Sequence, residues 1–161
     1  MSDDDRMTES PLTIREATVD DVAEIVRLLA DDRLGSLREV LADPPPLPYL
    51  EAFDRIQASP NNTLLVAEAA GEVVGCLQLT VIPGLSRQGQ TRGQIEGVRI
   101  AAGSRNRGWG ERLVQAAIDR ARAVGCTVVQ LTTDKRRTDA HRFYRRLDFE
   151  ATHEGMKKPL G

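Results

Sequence analysis

The chain has 161 residues, with 22 basic and 24 acidic side chains, 40% hydrophobic residues, two cysteines and one tryptophan. This is one compact domain able to fold without staples, since a chain of this length buries about 68–70% of its unfolded surface. Two cysteines make no disulfide framework, no Cys/His cluster has zinc spacing, and no run approaches the ~20 apolar residues of a membrane span. The acidic start Met1-Ser2-Asp3-Asp4-Asp5 is the wrong sign for a signal or transit peptide, so a cytoplasmic domain with no membrane partner is expected.

Residues 1–10 read as a disordered acidic tail, and residues 11–161 as a single domain. Leu12 to Arg15 is a short strand leading to Thr18-Val19-Asp20-Asp21, a capping-box-like helix start. Val22, Ile25, Val26 and Leu29 then mark one face of an amphipathic helix. Asp43-Pro44-Pro45-Pro46-Leu47-Pro48 is a stiff non-helical loop, followed by a helix over Tyr49 to Ala58. The period then shortens to that of strands: Thr63 to Glu68 and Glu72 to Ile82 flank a turn at Ala69-Ala70-Gly71. Residues 83–93 read as a long flexible connection to a strand over Gln94 to Ile100. Gly108 to Val124 is the clearest helix, striped by Leu113, Val114, Ala117, Ile118, Ala121 and Val124 and ended by Gly125. Thr127 to Thr132 is a buried strand, and Thr138 caps a last helix with Ala140, Phe143, Tyr144 and Leu147 inside. Phe149 to His153 and Met156 to Pro159 read as closing strands. The strand–helix–strand unit from Gln94 to Thr132 implies a parallel pair with a right-handed crossover.

The net charge of −2 conceals an asymmetry. Between Arg105 and Arg146 there are eleven Lys/Arg and four Asp/Glu, so the rest of the chain is strongly acidic. That balance disfavours nucleic acid, while the positive segment suits a compact polyanion. Within it, Val98-Arg99-Ile100 delivers the chain into Arg105-Asn106-Arg107-Gly108-Trp109-Gly110-Glu111, a basic glycine-containing turn that opens into the strong helix. Unpaired N–H groups and the macrodipole make such a helix start an anion site. A Walker loop would need Lys-Ser/Thr after the glycine, where Glu111-Arg112 stand. A Rossmann fingerprint would need a third glycine where Leu113 stands.

Arg105-Asn106-Arg107-Gly108-Trp109-Gly110 resembles the Arg/Gln-x-x-Gly-x-Gly/Ala signature of the GCN5-related N-acetyltransferases (GNAT). Ala140-His141-Arg142-Phe143-Tyr144-Arg145-Arg146-Leu147-Asp148-Phe149 resembles their second signature, Ala-x-x-Phe-Tyr-x-x-x-Gly-Phe, at the family's spacing. The resemblance implies a mixed, mostly antiparallel α/β sheet of six to seven strands flanked by about four helices. It implies that Arg105, Asn106, Arg107, Gly108, Trp109, Gly110 and Glu111 hold the pyrophosphate of acetyl-CoA, while Val98, Arg99 and Ile100 offer backbone groups to its pantetheine arm. Two positions depart from the pattern: Arg137 stands where the family often has Asn, and Asp148 where it has Gly. Asp tolerates the left-handed conformation better than most residues, so that turn is expected to survive.

A primary alkyl amine has a pKa near ~10.4 and must lose a proton before it attacks a thioester. By the same resemblance Glu96 is the general base, directly or through water, and Tyr144 the general acid toward the coenzyme A sulfur. Cys76 and Cys126 lie in apolar strands and read as small core residues rather than nucleophiles, which favours direct transfer in a ternary complex. His141 and His153 read as surface or structural residues. Lys135 to Tyr144 and, more loosely, His153 to Lys157 are similar to aminoalkylphosphonate N-acetyltransferases, which points to a small-molecule amine acceptor. Protein N-terminal or lysine acetylation, and a non-catalytic acyl-CoA-binding module, are the alternatives. A homodimer through the C-terminal strands is implied by resemblance only.

Overall fold

The computed structural model describes residues 11–161, so the tail expected over residues 1–10 lies outside the described residues. Five strands form one sheet in chain order: β1 Thr13–Glu16, β2 Asn62–Ala69, β3 Glu72–Pro83, β4 Thr91–Ile100 and β5 Val128–Leu131. Neighbours from β1 to β4 are antiparallel, and β4 and β5 are parallel. Helix α4 (Trp109–Ala123) makes the crossover between them. Helices α1 (Val22–Ala30) and α2 (Leu47–Ala58) follow β1, a single turn α3 (Ser86–Gly89) links β3 to β4, and α5 (Thr138–Arg146) follows β5.

Strand alternation divides the core between the two faces of the sheet. Leu65 pairs with Leu77 in the β2–β3 register, and the next pair, Val66 with Cys76, points the other way. Leu65, Leu77, Leu79 and Ile95 pack with Leu113, Val114, Ala117 and Ala121 of α4. Val66 and Cys76 pack with Val22, Ile25 and Val26 of α1 and Phe53 of α2. The apolar stripes of α1 and α4 are therefore the ones their periodicity marks, except that Leu28 is buried more deeply than Leu29 and Val124 is exposed beyond the end of α4. At the head of α1, Thr18 N–H donates to the Asp21 carboxylate (2.7 Å), the reciprocal half of a capping box. Arg15 donates to both oxygens of the same carboxylate, at 2.7 and 3.0 Å.

The structure corrects several local expectations. The strand expected to be buried over Thr127 to Thr132 is the edge strand β5, with Val128 exposed and Val129 to Leu131 only half-buried, because no further strand covers it among the described residues. Helix α2 begins at Leu47, because Pro48 falls in the first turn, where a missing N–H costs nothing. Residues 83–93 are not a long flexible connection: β3 runs to Pro83 and β4 starts at Thr91, with Val81, Ile82 and Pro83 paired to Gly93, Arg92 and Thr91. A Cβ on Gly93 would lie 3.1 Å from Ala121 Cβ, so that glycine serves helix–sheet contact rather than flexibility. Thr138 is the first residue of α5; the cap position is Arg137, which makes no side-chain capping bond.

The last correction concerns the sheet, which has five strands among the described residues and not six to seven. Phe149 to His153 and Met156 to Pro159 carry no strand, and every residue from Glu150 onward is exposed. Only Phe149 brings apolar surface to the core, and Thr152 N–H closes a tight turn onto Glu150 O (3.1 Å). A strand with no face to bury does not offset the entropy of extending it. The left-handed turn before Phe149 does form: Asp148 has φ of 63°, and Phe149 N–H reaches Tyr144 O at 3.1 Å. No helix among the described residues is long and apolar enough to cross a membrane.

Candidate active site

Strand β4 outruns its parallel neighbour. Pairing with β5 ends at Ile95–Leu131, while β4 continues through Glu96 to Ile100 with no strand on that side among the described residues. Gly97, at φ of 63°, makes a bulge there: Glu96 faces Gln78 and Arg99 faces Cys76, so Gly97 and Val98 together oppose Leu77. A bulge bends its strand and increases local twist, which parts β4 from β5 and leaves an open backbone edge.

That edge leads into the glycine-containing turn. Ala101 N–H is tied to Val74 O (2.8 Å) and Ala102 N–H to the Asp31 carboxylate (3.2 Å), and a tight turn spans Ala102–Ser104. Asn106 and Gly108 are left-handed, with φ of 62° and 72°. The first bond closing α4 is Arg112 N–H to Gly108 O (3.1 Å), so the N–H groups of Trp109, Gly110 and Glu111 precede the helical ladder. They meet no backbone partner among the described residues. A Cβ on Gly108 would meet nothing within 4 Å, which leaves open space over this helix start. The chain thus presents a backbone donor nest at the positive end of a 15-residue helix, a fit for a diphosphate.

The second glycine has a different reason. A Cβ on Gly110 would lie 3.3 Å from Phe143 Cζ and 3.5 Å from Ile100 Cγ1, so the two sequence signatures meet in one contact. Trp109 is buried in the α4-side core, with the Arg107 guanidinium over its ring at 5.1 Å. Arg146 sits over Phe143 at 5.9 Å. Most other cations of the positive segment are spent on ion pairs: Arg120 on Glu16, Arg122 on Asp119, Lys135 on Glu154, Arg136 on Asp134 and Arg142 on Asp139. Arg105 lies 4.0 Å from Asp31. The cations of the segment with no ion pair among the described residues are Arg107 and Arg112 at the start of α4 and Arg145 and Arg146 at the end of α5.

Tyr144 lies half-buried on α5, edge-on to Phe143 (5.1 Å between centroids) and Phe149 (5.7 Å). Burial raises its phenol above the ordinary value, although Arg99 and Arg137 lie close enough to oppose the shift. Its hydroxyl makes no hydrogen bond to a described residue. Val98 and Ile100 pack toward α4, whereas Arg99 turns to the α1 side, where Glu96 also stands. Glu96 is exposed and forms no ion pair among the described residues.

Cys76 is sealed in the core, its thiol pushed up to about 12 by burial, and burial also raises Cys126; neither is poised as a nucleophile. His141 Nε2 contacts Asp134 O (3.2 Å) and His153 Nδ1 contacts Thr152 Oγ1 (2.7 Å), local contacts away from β4. Sequence reasoning missed Asp32. It follows α1, its Oδ1 accepts Gly35 N–H at 2.6 Å, and its Oδ2 lies 2.6 Å from Arg137 Nη1 and 3.5 Å from Arg99 Nη2. The acidic pair Asp31-Asp32 just past an amphipathic helix was its only signal, and a bland one.

The model of the acetyltransferase (GNAT) family matches residues 25–149. An aminoalkylphosphonate N-acetyltransferase of Salmonella typhimurium is 29% identical over 147 residues, covering 91% of this chain and 90% of that relative. The crystal structure of a transcriptional regulator from Bacillus halodurans C-125 is 49% identical, with a TM-score of 0.90 over 93% of this chain and all of that one. The fold alone is shared with glucosamine-6-phosphate N-acetyltransferase from Arabidopsis thaliana: 19% identity, TM-score 0.77, 94% of this chain and 99% of the other. The open edge of β4, the glycine turn and the matched family model agree, and the chain belongs to the acetyltransferase (GNAT) family.

Proposed function

We propose that the chain moves an acetyl group from acetyl-CoA to the primary amine of a small molecule, directly, in a ternary complex. The observation that carries this reading is the unpaired edge of β4 from Glu96 to Ile100, running straight into the donor nest of α4. An extended amide-bearing arm adds to such an edge as a strand would, with its diphosphate on the N–H groups of Trp109, Gly110 and Glu111. Arg105, Asn106 and Arg107 line the turn, and Gly108 keeps its mouth clear.

Glu96 takes the amine proton, directly or through water, and its exposed carboxylate on the α1-side face suits an acceptor arriving from solvent. A backbone N–H of the bulge near Val98 faces the developing oxyanion. Tyr144 gives its proton to the departing thiolate; a phenol held above its ordinary value stays protonated at neutral pH and so remains an acid. The inert thiols of Cys76 and Cys126 favour direct transfer over a covalent relay. A small-molecule acceptor is supported by the name of the Salmonella relative.

The test is thiol release from acetyl-CoA across a panel of aminoalkylphosphonates, polyamines, amino acids, aminoglycosides and a peptide amino terminus. Release with one small-amine class is expected, and release only with the peptide overturns the acceptor reading. The regulator name of the 49% identical protein gives a second reading, an acyl-CoA-binding module without turnover. Saturable acetyl-CoA binding with no release from any amine is the outcome that favours it.

A further inference from the structure

Three segments far apart in sequence bring charge together beside Tyr144. Arg99 comes from β4, Arg137 from the residue before α5, and Asp32 from just past α1. All three side chains are mostly buried, at 17%, 26% and 21% exposure. One carboxylate thus serves two guanidiniums, and burial, with Arg137 beside it, disfavours the charge on Arg99. Arg99 Nη1 donates to Val98 O (2.8 Å), while its Nε, like Asp32 Oδ2, is buried with no hydrogen-bond partner among the described residues. The neighbouring cation Arg136 is drawn away by Asp134, at 2.7 Å, and so leaves the cluster to Arg137.

Buried charges are ordinarily matched one for one. Here the cations exceed the anion, and a donor waits unpaired, on the same side of β4 as Glu96. A guanidinium is a planar fork suited to tetrahedral or planar oxyanions. We propose that Arg99 and Arg137 bind an anionic group on the acceptor, a phosphonate or phosphate in preference to a carboxylate, while the amine end of that molecule faces Glu96 and Tyr144. Asp32 holds the two forks in place and yields Arg137 when the ligand enters. The preference for a dianion follows from the surplus of cations. This inference rests on the transferase reading for the amine end only.

The full chain is assayed with acetyl-CoA and three acceptors that share a primary amine: 2-aminoethylphosphonate, β-alanine and ethanolamine. The expected order of kcat/KM is phosphonate, carboxylate, alcohol, spanning about tenfold or more. Arg137→Gln is expected to lower kcat/KM for the phosphonate about tenfold more than for ethanolamine, through KM, with partial recovery in Arg137→Lys. Equal losses on all three acceptors, or a native protein indifferent to the anion, overturn the proposal. Calorimetric titration with methylphosphonate in the presence of CoA reads the same site without turnover. Saturable binding lost in Arg137→Gln supports it; no binding to the native chain, or binding unchanged in the variant, overturns it. Methylphosphonate binding at the arginines with no thiol release from any amine sinks the transferase reading and leaves the anion site standing.

Discussion

Two charged regions border β4 and are made in opposite ways. From Ala102 to Gly108 the chain builds a donor nest out of backbone: left-handed φ at Asn106 and Gly108, N–H groups at the start of α4 with no backbone partner among the described residues, and a carbonyl anchor on Val74. On the other side, Asp32, Arg99 and Arg137 build a charged cluster from side chains delivered by three separate segments. A backbone site tolerates exchange of most side chains but depends on a few glycines. A side-chain site depends on each charged group and is retuned by single substitutions. On the proposed reading the first suits a cosubstrate that stays the same, the second an acceptor that varies.

The largest effect that would break this contrast is expected at Gly108. A β-branched residue is strained at φ of 72°, so Gly108→Val should weaken acetyl-CoA binding about 100-fold or more by calorimetry, with the fold retained by circular dichroism. Binding within a few-fold of native would show that the nest does not hold the diphosphate. Tyr144→Phe, a side-chain change, should lower kcat about 30- to 100-fold and leave acetyl-CoA affinity alone. Native turnover in that variant removes the general-acid role. Since burial raises the phenol, the native rate should hold through neutral pH and fall only above the usual tyrosine range near ~10.

A buried carboxylate remote from β4 supplies a control. Asp21 is held below its ordinary value of 3.8, chiefly by the Arg15 hydrogen bonds. A depressed carboxylate stabilises fully above its unfolded value and loses that contribution as pH falls through the lower native one. Asp21→Asn should therefore cost about 2 kcal/mol at pH 7 in urea unfolding and flatten the acid limb of stability, with acetyl-CoA affinity unchanged. The smallest effect is expected at Gly110→Ala, where the Phe143 ring 3.3 Å away has to shift. About 1 kcal/mol of stability should go, with acetyl-CoA binding reduced far less than by Gly108→Val, because the N–H groups of α4 stay in place.

The difference between the two regions also explains what could be read in advance. A turn built from consecutive residues leaves a consecutive trace, so the Arg105-to-Gly110 signature pointed to the glycine-containing turn before α4 and Phe143-Tyr144 to the last helix. Asp148 could be expected to hold a left-handed turn because that tolerance belongs to the residue itself, and its φ of 63° agrees. Gly93 was misread as flexibility because its reason is Ala121, a residue on another element. The two closing strands were misread because Phe149 to Pro159 alternates weakly, and nothing in a linear pattern says whether a partner edge will accept it.

Period and composition alone determined the helices α1 and α4, the β2–β3 hairpin, the parallel crossover into β5 and the glycine-containing start of α4, since each follows from the local pattern of residues. The tertiary structure alone decided that β4 parts from β5 after Ile95, that Gly110 touches Phe143, and that Asp32 and Arg137 close on Arg99. Those are contacts between distant segments. Their energies depend on distance and burial, which sequence order does not encode.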